Sequence, residues 1–173
     1  RNNEVVQYIM PPEAFQLLEN AGLSDTERPR VHSVLPNWDN GPTNLTVNGI
    51  DVEVYRIDHG PNMPQNLGYK ATLGGKTVFH TGDINASADR LKSAGLGSTS
   101  VDFMLMPFWY LLQQKEDIAT AWDIGTMIPM HYHAAAQPWM EQFGGPTGLR
   151  TTAETEWPGA IRIDQEMQCE LFD

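Results

Sequence analysis

The chain has 173 residues, of which 40% are hydrophobic and 19% charged, and this composition is typical of a folded globular protein. Its formal net charge of -11 disfavours nucleic acid and anionic membrane surfaces as partners, because both are bound through basic patches. Its single cysteine, Cys169, excludes an internal disulfide, and no apolar run approaches the roughly 20 residues that span a bilayer, so we expect a soluble protein.

The N-terminal part of the chain is predicted to consist mainly of strands. Apolar alternation and β-branched residues indicate strands over residues 5–10, 31–35, 45–47, 50–57, 67–73 and 76–79. Asn48-Gly49 and Gly74-Gly75 are two-residue turn signals, so they predict two antiparallel hairpins. One helix is expected over residues 12–21, with proline in its first turn and Gly22 at its end.

The C-terminal part alternates between strands and helices. Helices are predicted over residues 86–94, 115–122 and 134–143, and strands over residues 102–106, 126–130 and 160–163. Residues 107–112 and 144–148 are interpreted as loops. This order of elements predicts a single α/β domain, in which a sheet carries helices on its outer face.

Three side chains that can bind a metal ion come shortly after three predicted strands. His59 follows residues 50–57, Asp83 follows residues 76–79, and His131 follows residues 126–130. Groups at strand ends meet at one edge of the sheet in layered α/β folds, and imidazole and carboxylate suit zinc, manganese or iron. Each residue also has a structural interpretation, since Asp83 after Gly82 could be a turn former or a helix N-cap.

The remaining histidines are expected to support the site rather than to form it. We expect His80 to pack or to hydrogen-bond beneath the Asp83 loop, and His32 to be structural. His133 is expected to lie in the core or behind the ligands.

An aromatic segment follows the predicted strand 102–106. Phe108, Trp109 and Tyr110 either line a substrate pocket or pack beneath a loop, and Trp109 and Tyr110 are our candidate substrate contacts. An acidic chain with aromatic loops favours an uncharged or apolar substrate, although a bound metal inverts the local charge.

Several of these motifs, taken in order, resemble the second half of the metallo-β-lactamase-fold superfamily. The segments are His59, Asn66-Leu67-Gly68-Tyr69, Phe79-His80-Thr81-Gly82-Asp83, Asp102-Phe103-Met104-Leu105-Met106-Pro107, Ile128-Pro129-Met130-His131 and Trp157-Pro158-Gly159. The resemblance implies an αββα sandwich, to which residues 1–173 contribute the C-terminal part of one domain. The family's His-x-His-x-Asp-His motif does not occur in this sequence.

The resemblance also implies the chemistry. His59 corresponds to the family's third metal-binding motif, Asp83 to the fourth, which commonly bridges two metals, and His131 to the fifth. It implies a hydrolase with two divalent cations, zinc first and manganese or iron as alternatives. A metal-bridging hydroxide, positioned by Asp83, would attack an ester, thioester, lactone, amide or phosphodiester of a small molecule. Asp58 and Tyr132 are candidates for orienting the ligands.

Three ligands leave a two-metal site incomplete. We therefore expect the N-terminal half of the fold to come from the same protein or from a separate chain; the other interpretation is a degenerate relative that does not bind two metals. Two other functions stay open, a di-iron redox protein and a metal-free scaffold or interaction module. The presence of all three candidate ligands disfavours the scaffold. Homo-oligomerisation is also left open.

Overall fold

The computed structural model describes residues 6–96, 99–131 and 138–161. Two strands form a small parallel sheet, β1 (Tyr8–Met10) and β2 (Val31–Ser33). Six strands form the main sheet, in spatial order β3 (Thr43–Val47), β4 (Ile50–Ile57), β5 (Asn66–Leu73), β6 (Lys76–His80), β7 (Thr99–Pro107) and β8 (Trp122–Met130). The first four strands pair antiparallel, whereas β6, β7 and β8 run parallel.

Helices connect the parallel strands and flank the sheet. The α-helices are α1 (Pro12–Asn20), α2 (Ala88–Ser93), α3 (Phe108–Gln113), α4 (Lys115–Ala121) and α5 (Gly145–Glu156), and 3-10 helices occupy Arg28–Arg30 and Pro138–Phe143. Ser87 caps α2, because its side chain accepts a hydrogen bond from the backbone N–H of Arg90. No helix within the described ranges has the length and apolar character that a membrane crossing requires. The α/β fold class predicted from the sequence is confirmed.

Both predicted hairpins are present, and their turns explain why. Asn48 and Gly49 have φ angles of 51° and 78°, and Gly74 and Gly75 have φ angles of 58° and 80°. Two left-handed residues in succession match the right-handed twist of the flanking strands, which is why such pairs close tight hairpins.

The two faces of the main sheet are buried to different extents. Along one cross-strand row, Phe79, Met104 and Met127 lie opposite one another and are all 0% exposed. This row packs in a cluster with side chains of the flanking helices, Leu91, Tyr110, Leu111, Ile118 and Ala153.

The neighbouring row points to the other face of the sheet. It runs across all six strands, and each of its members is only partly buried: Leu45, Val52, Ala71, Val78, Phe103 and Thr126. Strand β1 approaches this side near β5, where the Tyr69 hydroxyl donates to the carbonyl of Ile9 over 3.0 Å. The main sheet therefore has one closed face and one partly open face.

Two segments that were interpreted as loops are helical, and that interpretation was wrong. Residues 108–113 form α3, in which Phe108, Tyr110 and Leu111 are buried, so burial rather than a loop explains the aromatic run. The segment 144–148 contains the start of α5, with Pro146 in its first turn. A Cβ atom at Gly148 would lie 1.8 Å from the carbonyl oxygen of Phe143, so this glycine permits a close approach of two segments.

Several boundaries also differ from the prediction, most of all in the C-terminal part. Strand β8 begins at Trp122 rather than at residue 126, and it includes Gly125, where a Cβ atom would lie 2.9 Å from the carbonyl oxygen of Asp102. Within the predicted helix 134–143, residues 138–143 form a 3-10 helix, and residues 134–137 lie outside the described residues. The predicted strand 160–163 is wrong for its two described residues, 160 and 161, which are not in a strand, although Ile161 donates one backbone hydrogen bond to Met127 over 2.8 Å. Residues 162–163 lie outside the described residues.

Candidate metal centre

Three strands deliver the candidate ligands to one edge of the main sheet. Strand β4 runs in the same direction as β6, since both are antiparallel to β5, and β6 is parallel to β7 and β8. The carboxyl ends of β4, β6 and β8 therefore share one edge. His59 follows β4, Asp83 follows β6 and His131 follows β8 directly.

The carboxylate of Asp83 lies between the two imidazoles. Its Oδ1 is 2.7 Å from Nε2 of His131, and its Oδ2 is 3.8 Å from Nε2 of His59. The side chains of His59, Asp83 and His131 are 19%, 36% and 44% exposed, so the group faces solvent and a ligand can reach it. The structure thus brings together the three residues that the sequence analysis selected.

Asn66 holds the turn that carries Asp83. Its Oδ1 accepts a hydrogen bond from the backbone N–H of Asp83 over 3.0 Å, and its Nδ2 donates to the carbonyl of Thr81 over 3.3 Å. Gly82 between them has a φ of 60°, and a Cβ atom there would lie 2.2 Å from Oδ1 of Asn66. The turn consequently requires glycine at position 82, both for its backbone conformation and for this contact.

His80 supports the same turn from below. Its Nδ1 accepts a hydrogen bond from the backbone N–H of Gly82 over 3.0 Å, as expected for a histidine beneath the Asp83 loop. Partial burial lowers the pKa of His80, the nearby His131 lowers it further, and the carboxylate of Asp83 opposes both effects. A neutral ring suits this geometry, because only an unprotonated Nδ1 can accept that hydrogen bond.

His131 has an unusual backbone conformation. Its φ is 66°, a left-handed value that is uncommon for residues other than glycine, although Asn, Asp and His adopt it more often than other side chains. Such residues are held in place by their surroundings and occur preferentially at functional sites. The imidazole of His131 lies against the ring of Trp109, with centroids 5.0 Å apart, and the indole N–H of Trp109 donates to the carbonyl of Ile84 over 3.2 Å. Trp109 therefore connects His131 to the segment that follows Asp83.

The loop that carries His59 is tied to the same segment. The side chain of Asp58 accepts a hydrogen bond from the backbone N–H of Gly60 over 2.9 Å. The backbone carbonyl of Asp58 accepts a second one from the backbone N–H of Asn85 over 2.8 Å. Asp58, a predicted orienting residue, thus shapes the backbone around His59. Tyr132 and His133 lie outside the described residues. His32 contacts Gln7 through its Nε2 over 3.2 Å, in keeping with a structural role.

The two candidate substrate contacts occupy different environments. Trp109 and His131 line a cavity of about 540 Å³. Tyr110 is 1% exposed, and its hydroxyl donates to the carbonyl of Ala86 over 2.6 Å, so it packs in the core and does not line that cavity. Burial, followed by the nearby Asp117, raises the pKa of Tyr110, which remains a neutral hydrogen-bond donor. Of the two residues that were predicted to contact the substrate, Trp109 alone remains a candidate.

The donor atoms suit a divalent cation, but they do not enclose one. Two imidazole nitrogens and a carboxylate are typical ligands of zinc, manganese and iron. Within residues 6–96, 99–131 and 138–161, however, no group of three or more His, Cys, Asp or Glu side chains is arranged to hold a metal ion. These residues therefore supply at most part of a coordination sphere.

Comparisons with solved structures identify the fold. The chain is similar to the metallo-β-lactamase-fold protein YhfI from Bacillus subtilis, with 14% identity and a TM-score of 0.52 over 90% of this chain and 61% of YhfI. It also matches a protein from Thermotoga maritima assigned to the Zn-dependent hydrolases of the metallo-β-lactamase superfamily, with 18% identity and a TM-score of 0.38 over 60% of this chain and 50% of that one. The chain thus spans about half to three-fifths of the lengths of these proteins. No protein-family description and no curated protein sequence matches it.

Proposed function

Since this chain has the metallo-β-lactamase fold, we propose that it supplies part of the metal centre of a metal-dependent hydrolase. One observation carries the proposal: the Asp83 carboxylate lies between the imidazoles of His59 and His131 at the carboxyl edge of the sheet. Two imidazoles and a carboxylate that meet at one sheet edge are a donor set that suits divalent cations.

Each of the three residues has a separate function in this proposal. His59 and His131 would hold divalent cations through their imidazoles, and Asp83 would hold them through its carboxylate, which lies between the two rings. Divalent cations bound there would lower the pKa of a coordinated water towards 7 and would polarise a carbonyl or phosphoryl oxygen. The substrate bond is an ester, thioester, lactone, amide or phosphodiester, and zinc is the first candidate metal, with manganese and iron as alternatives.

The surrounding residues keep these side chains in position. Asn66 and Gly82 fix the direction of the Asp83 carboxylate, and His80 braces the same turn. Trp109 packs against His131 and shields one side of its ring from water. These contacts hold the turn that carries Asp83 and one side of the His131 ring in place before any cation binds.

The remaining ligands must come from residues other than those of this chain that the structure describes. We propose that they belong to the N-terminal half of the same fold, provided by the same protein or by a separate polypeptide. Two observations support this proposal. The described residues include no group of three that could hold a metal, and the row containing Val78 and Phe103 leaves one sheet face partly open.

Metal analysis tests the proposal directly. The chain is dialysed against Zn²⁺, alone and with a polypeptide that carries the His-x-His-x-Asp-His motif, and the bound metal and the hydrolysis of 4-nitrophenyl acetate are measured. We expect Asp83→Ala to reduce bound zinc and to abolish hydrolysis. Asp123→Ala, at an exposed position on β8, is the matched control and should change neither.

Other outcomes would contradict the hydrolase. Iron bound in preference to zinc, with reversible reduction, would support a di-iron redox protein of the same fold. A monomeric, metal-free chain that unfolds cooperatively and is unaffected by Asp83→Ala would support a scaffold. Either result would exclude the proposed function.

A further inference from the structure

We propose that the cavity beside His131 binds an apolar, uncharged group of the substrate, such as an alkyl chain or an aromatic ring. The inference rests on the proposed function, because it names the substrate class of the same site. Three observations support it: the chemistry of the cavity wall, the packing of that wall against a buried cluster, and the cavity's contact with the candidate metal centre.

The cavity wall is predominantly apolar. Its volume is about 540 Å³, within the range of small-molecule sites, and the described residues that line it are Phe108, Trp109, Leu112, Gln113, His131, Gln142 and Phe143. Of these, only His131 can carry a charge, although the whole chain has a formal net charge of -11. A charged substrate group placed away from His131 would lose hydration without gaining a partner of opposite charge from the described lining residues, which disfavours its binding.

The wall is held in place by a packed cluster behind it. Phe108, Met140 and Leu149 are buried together, and Trp109, Leu112 and Phe143 pack against them. This cluster joins α3, the 3-10 helix Pro138–Phe143 and α5. The apolar side chains of the wall therefore pack against a buried cluster on the side away from the cavity.

The position of the cavity determines which part of the substrate it receives. His131 lines the cavity and lies 2.7 Å from the Asp83 carboxylate. The indole N–H of Trp109 already has a partner in the carbonyl of Ile84, so the tryptophan offers the cavity its apolar ring. A group bound there is therefore next to the bond to be cleaved, as the acyl or alcohol part of an ester or amide would be.

Chain-length dependence of binding is the test. Straight-chain alcohols from ethanol to octan-1-ol are titrated into the chain without metal, and the NMR signal of the Trp109 indole N–H, assigned with Trp109→Phe, is followed. Each buried methylene contributes about 0.8 kcal/mol, so Kd should fall about fourfold for each added methylene until the cavity is full. An affinity that does not depend on chain length would overturn the inference.

Two variants with matched controls locate the binding. Leu112→Asp places a carboxylate in the wall and should raise the Kd of octan-1-ol at least tenfold, whereas Leu17→Asp, at a 65% exposed position on α1, should not change it. Gln113→Glu introduces a charge with almost no change in size, and Gln16→Glu on α1 is its control. If Leu112→Asp fails to fold, Gln113→Glu and its control Gln16→Glu decide the result. The inference would be contradicted if either cavity variant changed the Kd of octan-1-ol no more than its control does.

The two proposals can fail separately. If the alcohols bind as expected and Asp83→Ala leaves bound metal unchanged, the hydrolase is wrong and the apolar site stands. Suppose instead that Asp83→Ala abolishes metal binding and hydrolysis, but that the natural chain hydrolyses 4-nitrophenyl acetate and 4-nitrophenyl octanoate with the same kcat/KM. The hydrolase then stands and the apolar site is wrong.

Discussion

Asn66 shows how a residue that is not itself a candidate ligand can determine the geometry of the candidate metal centre. Both ends of its amide are used, one on the N–H of Asp83 and the other on the carbonyl of Thr81. The two bonds bracket Gly82, whose left-handed φ aims the next side chain out of the sheet edge. The direction of the Asp83 carboxylate is therefore set from strand β5, which begins at Asn66.

We predict that Asn66→Ala weakens both the fold and the metal site. The change removes the partners of the Asp83 N–H and the Thr81 carbonyl, so the free energy of unfolding should fall by about 1–3 kcal/mol. Loss of the orienting contact should weaken zinc binding about 10- to 100-fold. Urea denaturation and zinc titration measure the two effects, and Asn44→Ala at an exposed position on β3 is the control. Unchanged zinc affinity in Asn66→Ala would show that Asn66 does not orient the carboxylate.

The sequence predicted which three candidate ligands lie together, but not the residues that support them. His59, Asp83 and His131 could be selected because each follows a strand, and parallel strand ends meet at one edge. The Gly74-Gly75 hairpin sets the register in which Tyr69 lies opposite His80, so it brings the start of β5 next to the end of β6. Asn66 could still not be given its function in this way, since the register does not show which backbone groups its amide contacts.

At the scale of elements, local signals predicted hairpins well and helices with apolar or glycine-rich starts poorly. Two turn residues with positive φ are sufficient to join β3 to β4 and β5 to β6. Helix α3 was not predicted, because its aromatic residues owe their place to burial in the tertiary structure, which the local sequence does not show. Helix α5 was missed because Gly148, normally a helix breaker, is required by the nearby Phe143 carbonyl.

A side-chain clamp joins the parallel strands β6 and β7. The carboxylate of Asp102 accepts hydrogen bonds from the backbone N–H and the hydroxyl of Thr77, over 2.8 and 2.9 Å. The backbone N–H of Asp102 in turn donates to the hydroxyl oxygen of Thr77 over 2.9 Å. The bond from the Thr77 backbone N–H, and next the one from its hydroxyl, lower the pKa of Asp102. The clamp therefore favours the ionised carboxylate.

We predict a pH-dependent stability difference between Asp102→Asn and the natural chain. The folded state lowers the pKa of Asp102, so the ionised carboxylate stabilises the fold at pH values above its unfolded pKa of about 3.9. This contribution is lost as the pH falls through the lower folded value. Asp102→Asn should thus be less stable at pH 7, and the difference should shrink below about pH 4.

Thermal unfolding between pH 2.5 and 7 measures this difference. Asp123→Asn, at an exposed position on β8, should follow the natural chain at every pH. A difference for Asp102→Asn that stays constant over this range would mean that the charge of the clamp contributes nothing.

At the scale of the molecule, the described residues bury one row of the main sheet completely and leave the adjacent row partly exposed. The row of Phe79, Met104 and Met127 is fully buried beneath helices, whereas the adjacent row with Val78 and Phe103 is partly exposed. Apolar surface left in water forgoes about 25 cal/mol per Å² of stabilisation, so a second layer on this face would stabilise the sheet. This asymmetry, together with the incomplete ligand set, is the physical argument for the N-terminal half as partner.

A pair of isosteric substitutions tests that argument. Val78→Thr places a hydroxyl on the partly open face, whereas Val101→Thr places one at a position on β7 that is 2% exposed. In the chain alone, we expect Val101→Thr to lower the free energy of unfolding by about 1–3 kcal/mol, and Val78→Thr to lower it less, because water can still reach the hydroxyl. When the N-terminal half is bound, Val78→Thr should become as destabilising as Val101→Thr. Urea denaturation of the chain, alone and in the complex, measures both; an effect of Val78→Thr that is the same in the two states would place the N-terminal half elsewhere than on this face.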